Sequence, residues 1–507
     1  MRLNILIGGK AGQGINKISE IVSKVLVKQG YFIFNYRDYQ SLIRGGHNFN
    51  ILSVSDKWIG SHENKIDGIV AFDENTLSIH KSKLKKDGFI ISATGFENFG
   101  KNLNLAMSGA LVKVIGLDKN ILFEVIKKEF DNKEALDAAE KGFESQKTKF
   151  QFKTLNNKIE IMTGSNGVCQ GAVNSGINIH FSYPMTPATG VLHELASRQT
   201  DIKNLKVFQP ENEIAVANAA LGASFAGAKV LIGTSGGGFD LMTEAFSFQG
   251  ISEIPLVVYL ASRPGPGTGI PTYTSQADLD VALRSGHGEF PRIVVAPGDP
   301  IECVENTNEL FYLSEKFGAL AIILSDKHLA ESEYSLNKKP NNTLKVEIKR
   351  KLPGQGIVKA NSYEHDEKGN TVENSEIAKK NADKRLEKYE QIKKECKKFQ
   401  MIKIHGKKDS KNLVIGWGST KGAIIDSIDE LDCKFMQVVY MKPMSDEIRK
   451  EIEKSKKVIL IEENSTGQLG RLIREKTGIK IEERILKYDG LPFASDELRE
   501  EIKRRLK

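Results

Sequence analysis

Between Phe181 and Thr189 the chain reads Phe-Ser-Tyr-Pro-Met-Thr-Pro-Ala-Thr, two prolines bracketing one hydroxyl directly after an apolar run. Pro184 and Pro187 fix φ, remove two backbone donors and push the residue before each out of the helical region. The loop therefore presents Thr186 with little entropy left to lose when a ligand binds. Thr186 or Thr189 could equally cap a helix starting near Val191. Three more stretches carry side chains suited to chemistry. Gln209-Pro210-Glu211-Asn212-Glu213 opens a small-residue helix, Thr234-Ser235-Gly236-Gly237-Gly238 reads as a glycine turn after a strand at 229–233, and Arg263-Pro264-Gly265-Pro266-Gly267 continues to Thr272 after an apolar strand. Arg263 has the planar fork that takes a carboxylate through two hydrogen bonds, and Thr186 can add a third. Glu213, near the start of its helix, reads by itself as a cap.

In this order and spacing the stretches resemble the alpha subunit of the 2-oxoacid:ferredoxin oxidoreductases, thiamine diphosphate enzymes that cleave 2-oxoacids oxidatively and pass the acyl group to coenzyme A. The resemblance implies that Thr186 and Arg263 bind the 2-oxoacid carboxylate, with Tyr183 also on the substrate side. It implies that Glu213 contacts the aminopyrimidine of thiamine diphosphate, with Pro184 and Ser235 beside the cofactor. Three positions depart from the family pattern: Met185 where isoleucine is usual, Asn212 where aspartate is common, and Pro264 where a second glycine is frequent. None removes a proposed catalytic group, and all leave the identity of the substrate open.

Thiamine diphosphate chemistry also needs a metal to hold the diphosphate, and no Gly-Asp-Gly followed by asparagine at the usual spacing occurs. Asp489-Gly490 lacks the leading glycine, and Cys169, Cys303, Cys396 and Cys433 are too scattered for an iron-sulfur cluster or a zinc site. Magnesium, the diphosphate site and the cluster are thus expected on a separate beta subunit, in a heterodimer or dimer of heterodimers, with ferredoxin as the electron acceptor.

The elements that must position these residues follow an α/β pattern. At 507 residues the chain should hold about three domains. Residues 1–150 open with a strand at 3–7, the loop Gly8-Gly9-Lys10-Ala11-Gly12-Gln13-Gly14 and a helix whose apolar residues Ile15, Ile18, Ile21, Val22, Val25 and Leu26 keep the helical period. Further strands are expected at 31–35, 50–53, 68–72, 88–92 and 111–115, paired in parallel through crossover helices. A glycine loop before a helix suits phosphate, although G-x-x-G-x-G is not the dinucleotide spacing. In Ser41-Leu42-Ile43-Arg44-Gly45-Gly46-His47-Asn48 a cation, two glycines and a histidine precede a strand. This whole segment resembles the gamma domain of the same family, which implies a part in assembly and a coenzyme A surface at Gly12, Gly14, Arg44 and His47.

Residues 163–331 are expected to form a doubly wound parallel sheet of the pyrimidine-binding thiamine diphosphate type, with strands at 179–181, 206–208, 230–233, 256–260, 292–296 and 319–325. Such sheets gather functional loops at the carboxyl ends of their strands. A lysine-rich connection follows at 332–411, either a linker or the carrier of an amphipathic helix at 374–398. Its Glu364-His365-Asp366-Glu367 reads as a turn rather than a metal cluster. Residues 412–507, with strands at 413–417 and 457–462, resemble the transketolase carboxy-terminal domain. Composition narrows the function further. Charged residues make up 27% and the net charge is +8, read as a solvated surface suited to an acidic partner rather than to nucleic acid. No apolar run is long enough to span a membrane, and Met1 to Gly9 reads as a first strand rather than a signal peptide, so a cytoplasmic setting is expected. Two other readings stay open: a nicotinamide-dependent enzyme using the Gly9 to Gly14 loop, and a scaffold that has kept the fold without turnover.

Overall fold

The computed structural model describes residues 2–41, 45–130 and 132–507. The chain divides into two compact units, one of residues 1–162, 332–339 and 493–501, the other of residues 163–331, 340–492 and 502–507. The α/β class holds throughout, in three sheets.

In the first unit the strands lie in the order Leu84–Ser92, Ile66–Ala71, Arg2–Ala11, Gly45–Ser55, Phe32–Asp38, Glu333–Leu336 and Glu160–Thr163. This sheet is mixed rather than all parallel. Arg2–Ala11 pairs in parallel with Ile66–Ala71 but antiparallel with Gly45–Ser55, which is itself antiparallel to Phe32–Asp38. The expectation failed because Phe32–Asp38 and Gly45–Ser55 follow one another too closely for a crossover helix, and a short connection imposes antiparallel pairing. The strand expected at 111–115 is the end of the helix Leu103–Ile115. That helix is buried on almost every side, so its apolar run shows no helical period in sequence. Its Gly109 lies so near the backbone of Lys133–Glu144 that a Cβ would stand 2.0 Å from the Ala139 carbonyl oxygen.

The second unit holds two sheets. The larger runs Tyr440–Lys442, Arg292–Val295, Leu320–Asp326, Leu256–Ser262, Val230–Thr234, Ile179–Ser182 and Lys206–Phe208. All its neighbours are parallel except the edge strand Tyr440–Lys442. The connection leaving Ile179–Ser182 runs to one side and that leaving Val230–Thr234 to the other, so a crevice opens between these two neighbours at their carboxyl ends. The third sheet runs Ile402–Gly406, Lys434–Val438, Asn412–Trp417, Lys457–Glu462 and Glu483–Leu486. One apolar core serves both, joining Val258, Leu260 and Ile322 to Ile415, Trp417 and Leu460. The amphipathic helix expected in the connection is present as Ser375–Cys396. No helix among the described residues is long and apolar enough to cross a membrane.

A buried ionic cluster also ties the two sheets together. Glu302 accepts from Lys421 and from Lys403 at 2.9 Å through Oε1, and through Oε2 from Gln437 at 2.6 Å and the Gly298 amide at 2.7 Å; Lys421 also pairs with Asp299. Burial opposes the Glu302 charge, but Lys421 and Lys403 prevail and hold its carboxyl well below the ordinary 4.5. Burial likewise opposes the Lys421 charge, and Asp299 and Glu302 raise it above 10.5. Stability from this cluster is full between those ordinary values. It drains as pH falls through the depressed carboxyl or rises through the elevated ammonium. Lys421→Met should cost about 3 kcal/mol or more, since two carboxylates lose a buried cation. A denaturant midpoint equal to wild type would show that the cluster adds nothing.

Candidate active site

Parallel pairing brings the four singled-out stretches to one edge of the larger sheet. Ser182 stands opposite Gly233, Leu260 opposite Thr234, and Ser262 opposite Asp326. The loops that begin at Tyr183, Ser235 and Arg263 therefore leave the sheet side by side. Glu213 opens the helix that follows the edge strand Lys206–Phe208.

Arg263 Nη1 donates to the Thr186 carbonyl at 2.8 Å, joining residues 77 apart in sequence. The guanidinium is half-buried, and no described carboxylate forms an ion pair with it. Burial lowers its pKa below the ordinary value, opposed by the charge of Asp278; it stays protonated, as arginine does in proteins. Thr186 caps nothing, because the helix Thr189–Arg198 begins after Ala188 without a side-chain cap. Its hydroxyl remains uncommitted beside the guanidinium's anchor point. Tyr183 and Pro184 are exposed at the mouth of the same loop.

Glu213 is not the cap of its helix either. Asn212 fills that place, its side chain accepting from the Ala215 amide at 2.9 Å. Glu213 is 3% exposed, and its Oε1 is buried without a hydrogen-bond partner. A buried carboxylate oxygen with no donor costs free energy unless something supplies one. Gly238 makes room for it, since a Cβ there would stand 2.7 Å from Glu213 Oε1 and 2.2 Å from Thr234 Oγ1. Ser235, also fully buried, has a hydroxyl without a partner. The stretch read as a glycine turn is thus the start of the helix Gly236–Leu241, with Ser235 at its N-cap making no side-chain cap bond. Glycines are needed there for close packing against Glu213 and Asp278, not for a reversal of direction.

Two neighbours escaped the sequence reading. His180 is buried on Ile179–Ser182, facing the Leu231 carbonyl through Nδ1 at 3.0 Å, and burial lowers its pKa to about 4. Asp278 stands near Arg263, with its carboxyl against Gly236. A lone histidine in an apolar strand and an aspartate ahead of a short helix carry no sequence signal of a site.

In the first unit Gly12 and Gly14 adopt φ of 90° and 84°, ahead of the helix Ile15–Lys28. Gly45 and Gly46 lie within a strand rather than ahead of one. His47 Nε2 faces His80 Nε2 at 2.8 Å, and burial lowers both pKa values, that of His80 to about 4. Arg44 lies outside the described residues. In the connection, Glu364 pairs with Arg385 and Asp366 accepts from the Lys368 and Asn370 amides, as a turn would.

Residues 170–400 match the family described as pyruvate flavodoxin/ferredoxin oxidoreductase, thiamine diphosphate-binding, and residues 4–102 match pyruvate ferredoxin/flavodoxin oxidoreductase. The 2-oxoacid:ferredoxin oxidoreductase subunit alpha of Saccharolobus solfataricus is 30% identical over 99% of this chain and 98% of its own length. The chain belongs to the 2-oxoacid:ferredoxin oxidoreductase family. A second alpha subunit of that name, from Sulfurisphaera tokodaii, is 28% identical over 99% of this chain and 97% of its own. The fold is shared end to end with a solved 2-oxoglutarate:ferredoxin oxidoreductase from Magnetococcus marinus, whose structure holds 2-oxoglutarate, coenzyme A and succinyl-CoA; the TM-score is 0.90, identity 24%, and coverage 100% of both chains. Membership makes this chain part of an oxidoreductase family with a thiamine diphosphate-binding region.

Proposed function

We propose that this chain is the alpha subunit, with a fused N-terminal gamma domain, of an enzyme that converts a 2-oxoacid and coenzyme A into acyl-CoA and CO2. Its electrons pass to ferredoxin, and it works only when a beta subunit completes the site. The observation that carries this reading is a half-buried arginine, without a carboxylate ion pair among the described residues, bonded to the Thr186 carbonyl at the carboxyl ends of the strands, where Glu213 also keeps a buried oxygen without a donor beside Thr234. Arg263 and Thr186 would take the substrate carboxylate. Glu213 would accept a hydrogen bond from the aminopyrimidine, the donor that its Oε1 lacks among the described residues, with Ser235 and Pro184 lining the same side. Thiamine diphosphate, when bound, supplies the electron sink for loss of CO2. This chain's residues orient the substrate, hold the cofactor ring and fix the position of a proton at Glu213. In the first unit Gly12, Gly14, Arg44 and His47 are assigned to the coenzyme A surface.

Support for the beta subunit comes from Phe208, Ile214, Leu241 and Ile270, large apolar side chains 46 to 59% exposed on elements leaving the crevice edge. Large apolar side chains left exposed on these elements suit a surface that another protein covers. That subunit would carry magnesium, the diphosphate and an iron-sulfur cluster. The four cysteines of this chain are buried and free, as suits a reducing cytoplasm. A nicotinamide enzyme built on the Gly9 to Gly14 loop would leave the residues from Tyr183 to Thr272 without a task.

Expressed by itself, the chain should be colourless and inactive. Co-expressed with its beta partner, it should reduce a viologen dye only when both coenzyme A and a 2-oxoacid are present, and a panel of 2-oxoacids would then name the substrate. Stoichiometric iron, or magnesium-dependent thiamine diphosphate binding, in the purified single chain would overturn the two-subunit reading.

A further inference from the structure

Asp278 is a charged group beside Arg263 that this reading leaves without a role. It precedes the helix Leu279–Arg284 but makes no side-chain cap bond there. Its carboxyl lies instead against Gly236, where a Cβ would come within 2.8 Å of Oδ2 and 3.0 Å of Oδ1. Oδ2 is buried and has no hydrogen-bond partner. Arg263 and Asp278 act on each other's charge without meeting in an ion pair.

What holds Asp278 there comes from the third sheet. Gln276 donates its amide to the Glu463 carbonyl at 2.7 Å, accepts from the Glu463 amide at 2.9 Å and donates from its side chain to the Trp417 carbonyl at 2.8 Å. On the other side, Gln468 donates to the Ala277 carbonyl at 2.7 Å and accepts from the Asp280 amide at 3.0 Å. The backbone on both sides of Asp278 is thus clamped by the end of the strand Asn412–Trp417, by Glu463 in the loop after the strand Lys457–Glu462 and by the helix Gln468–Thr477.

We infer that Asp278 is a positioning residue for the substrate grip, seated by the C-terminal layer so that its charge keeps the Arg263 guanidinium directed at Thr186. The inference rests on Arg263 being the substrate cation. An arginine side chain has many rotamers, and a fixed opposite charge nearby selects among them before substrate arrives. The groups that face Asp278 are Arg263 after its strand, Asp240 on the helix Gly236–Leu241 and the Ser262 hydroxyl. Burial pushes the carboxyl up to about 6, Ser262 and Arg263 pull it down, and Asp240 adds to the rise. The counter-charge is therefore present above that pH and lost as pH falls through it. This gives the C-terminal layer a task in substrate binding that its distance from the motifs conceals.

The test uses the complex with its beta subunit, assayed by 2-oxoacid-dependent dye reduction from acid to neutral pH. In wild type, KM for the 2-oxoacid should be flat above the Asp278 titration and climb below it. Asp278→Asn should raise KM near neutrality by about fivefold, the scale of one partly buried charge contact, with kcat held and the acid climb gone. Gln468→Ala should shift KM in the same direction by less. An unchanged or lowered KM in Asp278→Asn, or an acid climb that persists there, overturns the inference. Arg263→Lys in the same assay separates the two layers of argument. If it is impaired while Asp278→Asn is silent, only this inference falls; if it keeps wild-type efficiency, the carboxylate grip beneath it falls.

Discussion

Glu213→Gln is expected to lower kcat of the assembled enzyme about a hundredfold or more while the protein stays folded and still binds thiamine diphosphate. Glutamine keeps the shape that fits beside Gly238 but has no carboxylate to offer the aminopyrimidine. Glu213 Oε1 has no partner among the described residues, so the substitution breaks no hydrogen bond of that atom and removes a buried carboxylate oxygen that they leave unsatisfied. Stability should hold or rise. Asn212 supplies the contrast. It is the cap, and Asn212→Ala should cost about 1 kcal/mol of stability without reaching the chemistry. Steady-state rates and thermal unfolding of the two variants side by side decide the matter. Full activity in Glu213→Gln would remove the carboxylate from the mechanism.

Arg263→Lys should cut kcat/KM for the 2-oxoacid by about tenfold to a hundredfold, equivalent to about 1.5–3 kcal/mol for charge-assisted hydrogen bonds to a desolvated anion. An ammonium keeps the charge but has no planar fork, so it cannot hold the Thr186 carbonyl and offer two parallel donors to a carboxylate at once. Thr186→Val should lose less, since one neutral hydroxyl is removed and the backbone carbonyl that anchors Arg263 remains. Kinetics with every accepted 2-oxoacid check both. Wild-type efficiency in the pair would mean that the carboxylate is held elsewhere.

Locally encoded features were legible in the sequence. The apolar runs that became Ile179–Ser182, Val230–Thr234 and Leu256–Ser262 are short and bounded by turn residues, the last two with several β-branched side chains, which defines a buried strand without reference to the rest of the chain. The same holds for Ser375–Cys396, whose charges and spaced apolar residues make a half-exposed helix recognisable. Pro184, Pro187 and the glycine-proline run after Arg263 marked loops because they restrict their own backbone. What these elements build together was not legible. The strand Glu333–Leu336 joins the first sheet, and Tyr440–Lys442 the second, by hydrogen bonds between residues hundreds of positions or more than a hundred positions apart.

The sequence by itself determined which residues are proposed for the chemistry, because side-chain type and backbone restriction are properties of a few neighbouring residues. Only the tertiary structure decided how they work together. Strand order set the Thr186 carbonyl against Arg263, a missing Cβ at Gly238 admitted the Glu213 carboxylate, and hydrogen bonds from Glu463 and Gln468 seated the residues on either side of Asp278. Each of these depends on chain segments brought close only after loop closure, and no local propensity reports which segments those will be.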